Sequence, residues 1–194
     1  MEKIKTVLML CGFMVLAFSS FSAAQQNYIA AKLGGYSPQS NDLSGYNTDF
    51  NGELVFGHYF NRNFATEFGV GHLQTSGIVF TGIGLATEDI DATYLEATAK
   101  AVFPVPYYYS RGSYEPSVDF YFGGGLGVYF ANDNVDAIGF SRSETVPGGH
   151  ILGGADFNFD RNFFLGLEAK YIFVRAFDTD LDGFIFTGNI GYRF

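Results

Sequence analysis

The stretch Phe163–Phe173 reads FFLGLEAKYIF, and its period of two decides the fold. Phe163, Leu165, Leu167, Ala169, Tyr171 and Phe173 fall on one face; Phe164, Gly166, Glu168, Lys170 and Ile172 fall on the other. Successive side chains of a strand point to opposite sides, so this is a strand with one apolar face and one face that carries charge. The pattern recurs. Tyr94–Phe103 sets Leu95, Ala97, Ala99, Ala101 and Phe103 against Glu96, Thr98 and Lys100. Val118–Phe130 sets Phe120, Phe122, Leu126, Val128 and Phe130 against Asp119, Tyr121, Tyr129 and three glycines. The last strand sets Phe184, Phe186, Ile190, Tyr192 and Phe194 against Ile185, Thr187, Asn189, Gly191 and Arg193. About eight such segments follow one another, near 27–36, 50–60, 63–75, 92–105, 117–130, 148–159, 163–174 and 184–194. Each is long enough to cross a bilayer at a tilt of about 45°.

Composition agrees. The 194 residues hold one domain of ordinary size. At 47% hydrophobic and only 16% charged the chain is too apolar for disorder. Its 25 Gly, 23 Phe and 13 Tyr, spread through short runs, read as all-β. A net charge of −9 with no basic stripe excludes a nucleic-acid-binding surface. The first residues, MEKIKTVLMLCGFMVLAFSSFSAAQ, place Lys3 and Lys5 before an apolar run and small residues after it. That order predicts a secretory signal peptide over 1–24, cut after Ala24, with a β-barrel domain over 25–194. Cys11, the only cysteine, lies in that run behind Leu10, which is not the small residue a lipidated cysteine needs. The exported chain then has no cysteine and no disulfide to form.

The connections alternate as well. FNRNF at Phe60–Phe64 and FDRNF at Phe159–Phe163 are near copies, each a tight Asx-rich reversal between aromatics. Both fall at the end that holds the termini. The opposite end carries the longer links 37–49, 76–91, 131–147 and 175–183. Short turns at one end and long loops at the other, with an even strand count, is the pattern of an eight-stranded antiparallel up-and-down transmembrane β-barrel. A soluble barrel of the lipocalin kind alternates too. It lines its cavity with the apolar face, however, and there is no Trp for the early Gly-x-Trp of that family. Here the charged face is the narrower one, so closure points the broad apolar face outward, which only lipid tolerates. The segment 104–116, with its tyrosine run, is longer than a turn although parity puts it at the short end.

With this strand pattern, a leader, KLGGYSP at Lys32–Pro38, GGGLGVYF at Gly123–Phe130 and a terminal GYRF, the chain resembles the small outer-membrane β-barrels of Gram-negative bacteria, of the OmpX, OmpA-transmembrane and OmpW type. The resemblance covers essentially the whole mature chain at the level of pattern. It implies an outer-membrane location beside lipid and lipopolysaccharide, a monomer, and recognition of Tyr192 and Phe194 by the barrel-assembly machinery. It implies a structural or surface-interaction role for a closed barrel, or, by likeness to OmpW, passage of small hydrophobic molecules. For passage, Ile78, Val79, Phe80, Ile83 and Leu85 would line or cover an entrance; the same stretch equally reads as the upper part of longer strands.

An eight-stranded barrel has room inside for side chains and little else. The inward list is Lys32, Glu53, Glu67, Glu96, Lys100, Asp119, Asp156, Glu168, Lys170 and Arg193, and buried charges must pair. A polar plug of salt bridges is expected from them. No cofactor and no catalytic residue is assigned. His58, His72 and His150 form no hydrolase motif, although His72 lies near Thr75 and Ser76. DTDLDG at Asp178–Gly183 has the opening of a calcium loop, but its twelfth position is Asn189 and a strand follows. Asp178, Asp180 and Asp182 are therefore a candidate weak divalent-ion loop, beside other loop acids that lipopolysaccharide phosphates would join in recruiting Ca²⁺ or Mg²⁺.

Overall fold

The alternation is realised as a closed ring. A computed structural model describes residues 26–43, 45–81, 84–106, 117–135 and 139–194. The predicted leader and the tyrosine run after Pro106 lie outside the described residues. The strands are β1 (Gln26–Pro38), β2 (Asp49–Asn61), β3 (Phe64–Thr81), β4 (Gly84–Pro106), β5 (Ser117–Val135), β6 (Phe140–Asn158), β7 (Phe163–Ala176), a two-residue β8 (Thr179–Asp180) and β9 (Gly183–Arg193). Sequence neighbours pair antiparallel from β1 to β7, β7 pairs with β9, and β9 pairs with β1, which closes the sheet. Closure leaves no edge in the hydrocarbon, where an unpaired N–H or C=O costs several kcal/mol, about 4–8 against an apolar liquid. β8 only pairs with the end of β7 and stands outside the ring. The eight barrel strands match the eight predicted segments.

The outward face is apolar all round. Leu33, Leu54, Phe122, Leu126, Leu167, Phe186 and Ile190 are all exposed. On β4 the outward residues Phe103, Ala101, Ala99, Ala97 and Leu95 make a band about 20–25 Å tall at the usual rise and tilt, the height of a lipid-facing barrel belt. Above it Thr93, Asp91, Asp89 and Thr87 turn the same face polar.

The far end differs from the prediction. The links 76–91 and 131–147 are largely strand: β3 and β4 stay paired up to Thr81 and Gly84, and β5 and β6 up to Val135 and Phe140. Above the lipid belt the side chains lose their apolar alternation, which hid the strands from the sequence, but the backbone ladder continues. Ile78, Phe80 and Leu85 belong to the upper part of the long β3 and β4 strands, on the outside of their hairpin, and are more than 70% exposed. Ile83 lies outside the described residues.

The two near-copy turns are copies in structure. The side-chain amide of Asn63 donates to Val102 O (2.9 Å), and Val102 N donates back to Asn63 O (2.9 Å). Asn162 does the same with Arg193, at 2.8 and 2.7 Å. Each turn is thereby docked on the neighbouring strand.

Glycine fixes the inward aromatics. Tyr28, Tyr94, Tyr121 and Phe164 stand directly across the ladder from Gly57, Gly71, Gly154 and Gly191. A Cβ at any of these glycines would enter the opposing ring. The missing side chain lets the ring lie flat on the sheet and reach across the lumen. We expect Gly57→Val to displace Tyr28 and destabilise the barrel by about 1–3 kcal/mol, the usual cost of overpacking. Urea unfolding in detergent micelles measures it, with Val55→Ile as a mild control nearby.

Candidate functional site

All ten sequence-assigned inward residues are buried in the barrel, at 8% exposure or less. The strands set their heights. β7 climbs from the termini end, so Glu168 lies below Lys170; β4 descends, so Lys100 lies below Glu96. Three polar tiers result.

The middle tier is a closed square. Lys32 Nζ lies 3.0 Å from Glu67 and 2.9 Å from Glu168, and Lys100 Nζ lies 2.6 Å from Glu67 and 3.1 Å from Glu168. Each cation touches both anions, so two positive and two negative charges cancel. Tyr28 donates to Glu67 (2.6 Å) and Tyr121 to Glu168 (3.1 Å), filling the remaining lone pairs. The Lys100 ammonium also sits 4.1 Å from the Tyr121 ring centroid, a cation–π contact.

The upper tier has one ammonium between two carboxylates: Lys170 bonds Glu53 at 2.8 Å and also Glu96. His150 stands beside Glu96, with Nδ1 at 3.5 Å from its carboxylate and Nε2 at 2.8 Å from Thr98 Oγ1. Tyr94 donates to Asn51 (3.0 Å). At the termini end, Arg193 bonds Asp119 (3.3 Å) and Asn158 and packs over the Phe164 ring at 4.7 Å. Asp156 stands opposite Asp119 on the ladder, and its Oδ1 has no partner among the described residues. The ten residues supply four cations and six carboxylates. The sequence pointed to these charges and set Tyr121 on the same face as Asp119; it did not single out Tyr28, Tyr94 or His150, which complete the tiers.

Above the tiers the interior turns apolar. Tyr36, Leu73, Ile90, Tyr129, Ile172 and Ile185 are fully buried there. Two loops fold in over them: Leu43, from a 3₁₀ turn at Asn41–Leu43, and Leu181 are 3% and 2% exposed. Tyr36 donates to Leu181 O (2.7 Å) and ties that cap to β1.

The DTDLDG stretch is what delivers Leu181. Its three acids do not converge: Asp182 accepts from Val174 N (3.0 Å), Asp180 lies 3.7 Å from Arg175, and Asp178 has a positive φ of 62° in the turn. Among the described residues no three His, Cys, Asp or Glu side chains are grouped to hold a metal ion. His72 bonds Thr93 (3.2 Å) and Gln74 (3.1 Å), while Ser76 donates to Asp49 (2.8 Å), so the outward His and Ser do not pair. Tyr192 and Phe194 stack at 6.4 Å on the lipid side, and Phe194 is tied to Asn27 by two backbone bonds of 2.9 and 3.1 Å.

Outside the lipid belt, Tyr46 donates to Glu88 beside Asp133, and Arg142 holds Asp133 at 2.6 Å. Burial pushes the Glu88 carboxyl above its usual range; the Tyr46 hydroxyl opposes this and the Asp133 carboxylate adds to it.

Residues 6–194 match the family model described as Outer membrane protein beta-barrel domain. No curated protein sequence matches the chain. Among solved structures, the chain is similar to the outer membrane protein OprG from Pseudomonas aeruginosa (TM-score 0.62, 14% identity, covering 88% of this chain and 96% of that one). It is also similar to Neisserial surface protein A (TM-score 0.54, 17% identity, covering 88% and 96%).

Two outcomes are expected. Glu168→Ala leaves two ammonium groups facing one carboxylate and should cost about 3–5 kcal/mol, while pairing it with Lys32→Met should recover much of that loss. Urea unfolding of the singles and the double reads both. Glu88 binds its proton more tightly folded than unfolded, so its contribution is present below the ordinary carboxylate range and is lost as pH rises through the raised value. Exchange at the Asn47 amide, which donates to Ser76 O (2.8 Å), should show that extra pH dependence, and Glu88→Gln should remove it.

Proposed function

The chain belongs to the outer membrane protein beta-barrel domain family, in the outer membrane of Gram-negative bacteria, and from that premise we propose that it works as a closed, non-enzymatic barrel with a structural or surface-interaction role. The observation that carries this is the filled interior: three charged tiers below, a packed apolar tier above and two loops folded over it. Transport of hydrated solutes needs a continuous wet path, and the four-membered square occupies its centre. The raised β3–β4 and β5–β6 hairpins extend the sheet past the lipid belt and offer the surface. Ile78, Phe80 and Leu85 crown the first of them, cut off from the lipid by the polar row at Thr93–Thr87. In this reading the termini face the periplasm, the barrel-assembly machinery reads Tyr192 and Phe194, and lipopolysaccharide surrounds the loop end.

Passage of small hydrophobic molecules is the second reading, and the apolar lining of the upper interior is what favours it. It requires Leu43 and Leu181 to swing out. Refolded protein in planar bilayers should show no steady open state, and proteoliposomes should admit neither a polar nor an apolar solute faster than protein-free vesicles. Steady conductance would overturn the closed barrel; acceleration of the apolar solute alone would establish passage. Orientation is read separately. The only native cysteine is Cys11. A membrane-impermeant maleimide should therefore label Leu85→Cys on intact cells and Arg62→Cys only after permeabilisation.

A further inference from the structure

The outward face of the β3–β4 hairpin changes character twice. Its lipid belt ends at Leu95, and from Thr93 to Thr87 on β4 and from His72 to Ser76 on β3 the outward side chains are polar. Beyond that band the face is apolar again. Phe80 and Leu85 are cross-strand partners, Ile78 is the next outward residue below Phe80, and the three are 79%, 75% and 73% exposed in that order. Leu85 lies ten residues past Leu95 on β4, about 25 Å higher at the usual strand rise and tilt, so the hydrocarbon of its own bilayer is out of reach. Contact with water alone does not favour three large apolar side chains in one patch, and nothing among the described residues covers them.

Composition, size and charge favour one kind of cover. Residues 77–87 contain no Asp, Glu, Lys or Arg, so the crown repeats the uncharged apolar signature of the belt below it. Three side chains expose on the order of a few hundred Å², short of the about 800 Å² that each partner gives to a standard protein interface. A lipid surface sets no such minimum, because many copies in one membrane act together. The upper edge of the sheet does not belong in hydrocarbon, so only the side chains enter, to the roughly 5–10 Å of an interfacial layer. Asp89 and Asp91 stand on the same outward face beneath the crown and repel a surface dense in free phosphate charge, lipid A included. Phosphatidylcholine turns a quaternary ammonium outward instead, which suits acids around an apolar patch. We infer that the crown of Ile78, Phe80 and Leu85 docks on a zwitterionic phospholipid surface lying opposite the outer membrane. The inference rests on the surface-interaction reading and gives it a partner.

Quenching between two vesicle populations tests it. The chain has no Trp, so Phe80→Trp supplies a lone reporter in the crown and Phe122→Trp one in the lipid belt. Each is refolded into dioleoylphosphatidylcholine vesicles and mixed with vesicles of brominated phosphatidylcholine. Turbidity reads tethering, and Trp fluorescence reads entry into the second bilayer. Tethering is expected, with Phe80→Trp quenched and Phe122→Trp unaffected. Ile78→Ser with Leu85→Ser should lower tethering about tenfold. Adding phosphatidylglycerol to the second vesicles should lower it several-fold. Heat-modifiable gel migration verifies that each variant is folded. No tethering, tethering without quenching of Phe80→Trp (a contact between protein copies), equal quenching of the two reporters, or undiminished tethering by the double Ser variant would each overturn the proposal. Stronger tethering to phosphatidylglycerol would overturn its zwitterionic partner. Steady conductance bears on the closed barrel alone, so the two readings fail separately.

Discussion

Backbone hydrogen bonding in a medium without water is the constraint from which the rest of the structure follows. A sheet in hydrocarbon cannot have an edge, so β1 must meet β9, and the ring must close with whatever strands the chain supplies. With eight strands, closure makes a tube too narrow to hold much water and too wide to be left empty. The inward residues must then fill it, and those at lipid depth are the polar half of each alternating strand. Charges in the lumen are a consequence of the lipid on the other side of the sheet.

Buried charges stabilise nothing unless they are paired, and the middle tier does this with little slack. Four long side chains from β1, β3, β4 and β7 meet at one height, so the register of four strands has to agree. A slip of one residue on any of them would turn its charge into lipid. The square therefore contributes to register as much as to energy. The glycines opposite Tyr28 and Tyr121 belong to the same arrangement: they let two phenols lie across the sheet and reach the carboxylates that the lysines leave partly free.

How much of this could be read in advance depended on which solvent each residue faces. Where one face meets lipid and the other a packed lumen, as in Phe163–Phe173, hydrophobicity alternates strictly and the strand, its facing and its charges are all legible. Beyond the lipid belt both faces meet water or each other. Ser76–Asp91 lost its alternation there while keeping its ladder, and it read as a loop. The partners of the charges were illegible for a different reason. Glu53 and Lys170 are 117 residues apart in sequence, and only closure brings them together. His150 gave no signal at all, since nothing local marks an inward histidine.

The distribution of cations ties these observations into one molecule. Lysine and arginine inside the lumen are committed to the carboxylates they face, and those at the loop end are held by Asp133 and Asp180. With those demands met, a chain of net charge −9 has no electrostatic reason to place an arginine at the same position in both of its tight turns. Asn63 and Asn162 explain why the turns share their asparagine, and the belt explains their phenylalanines. The arginine is the part of the repeated motif that neither the ladder nor the lumen requires.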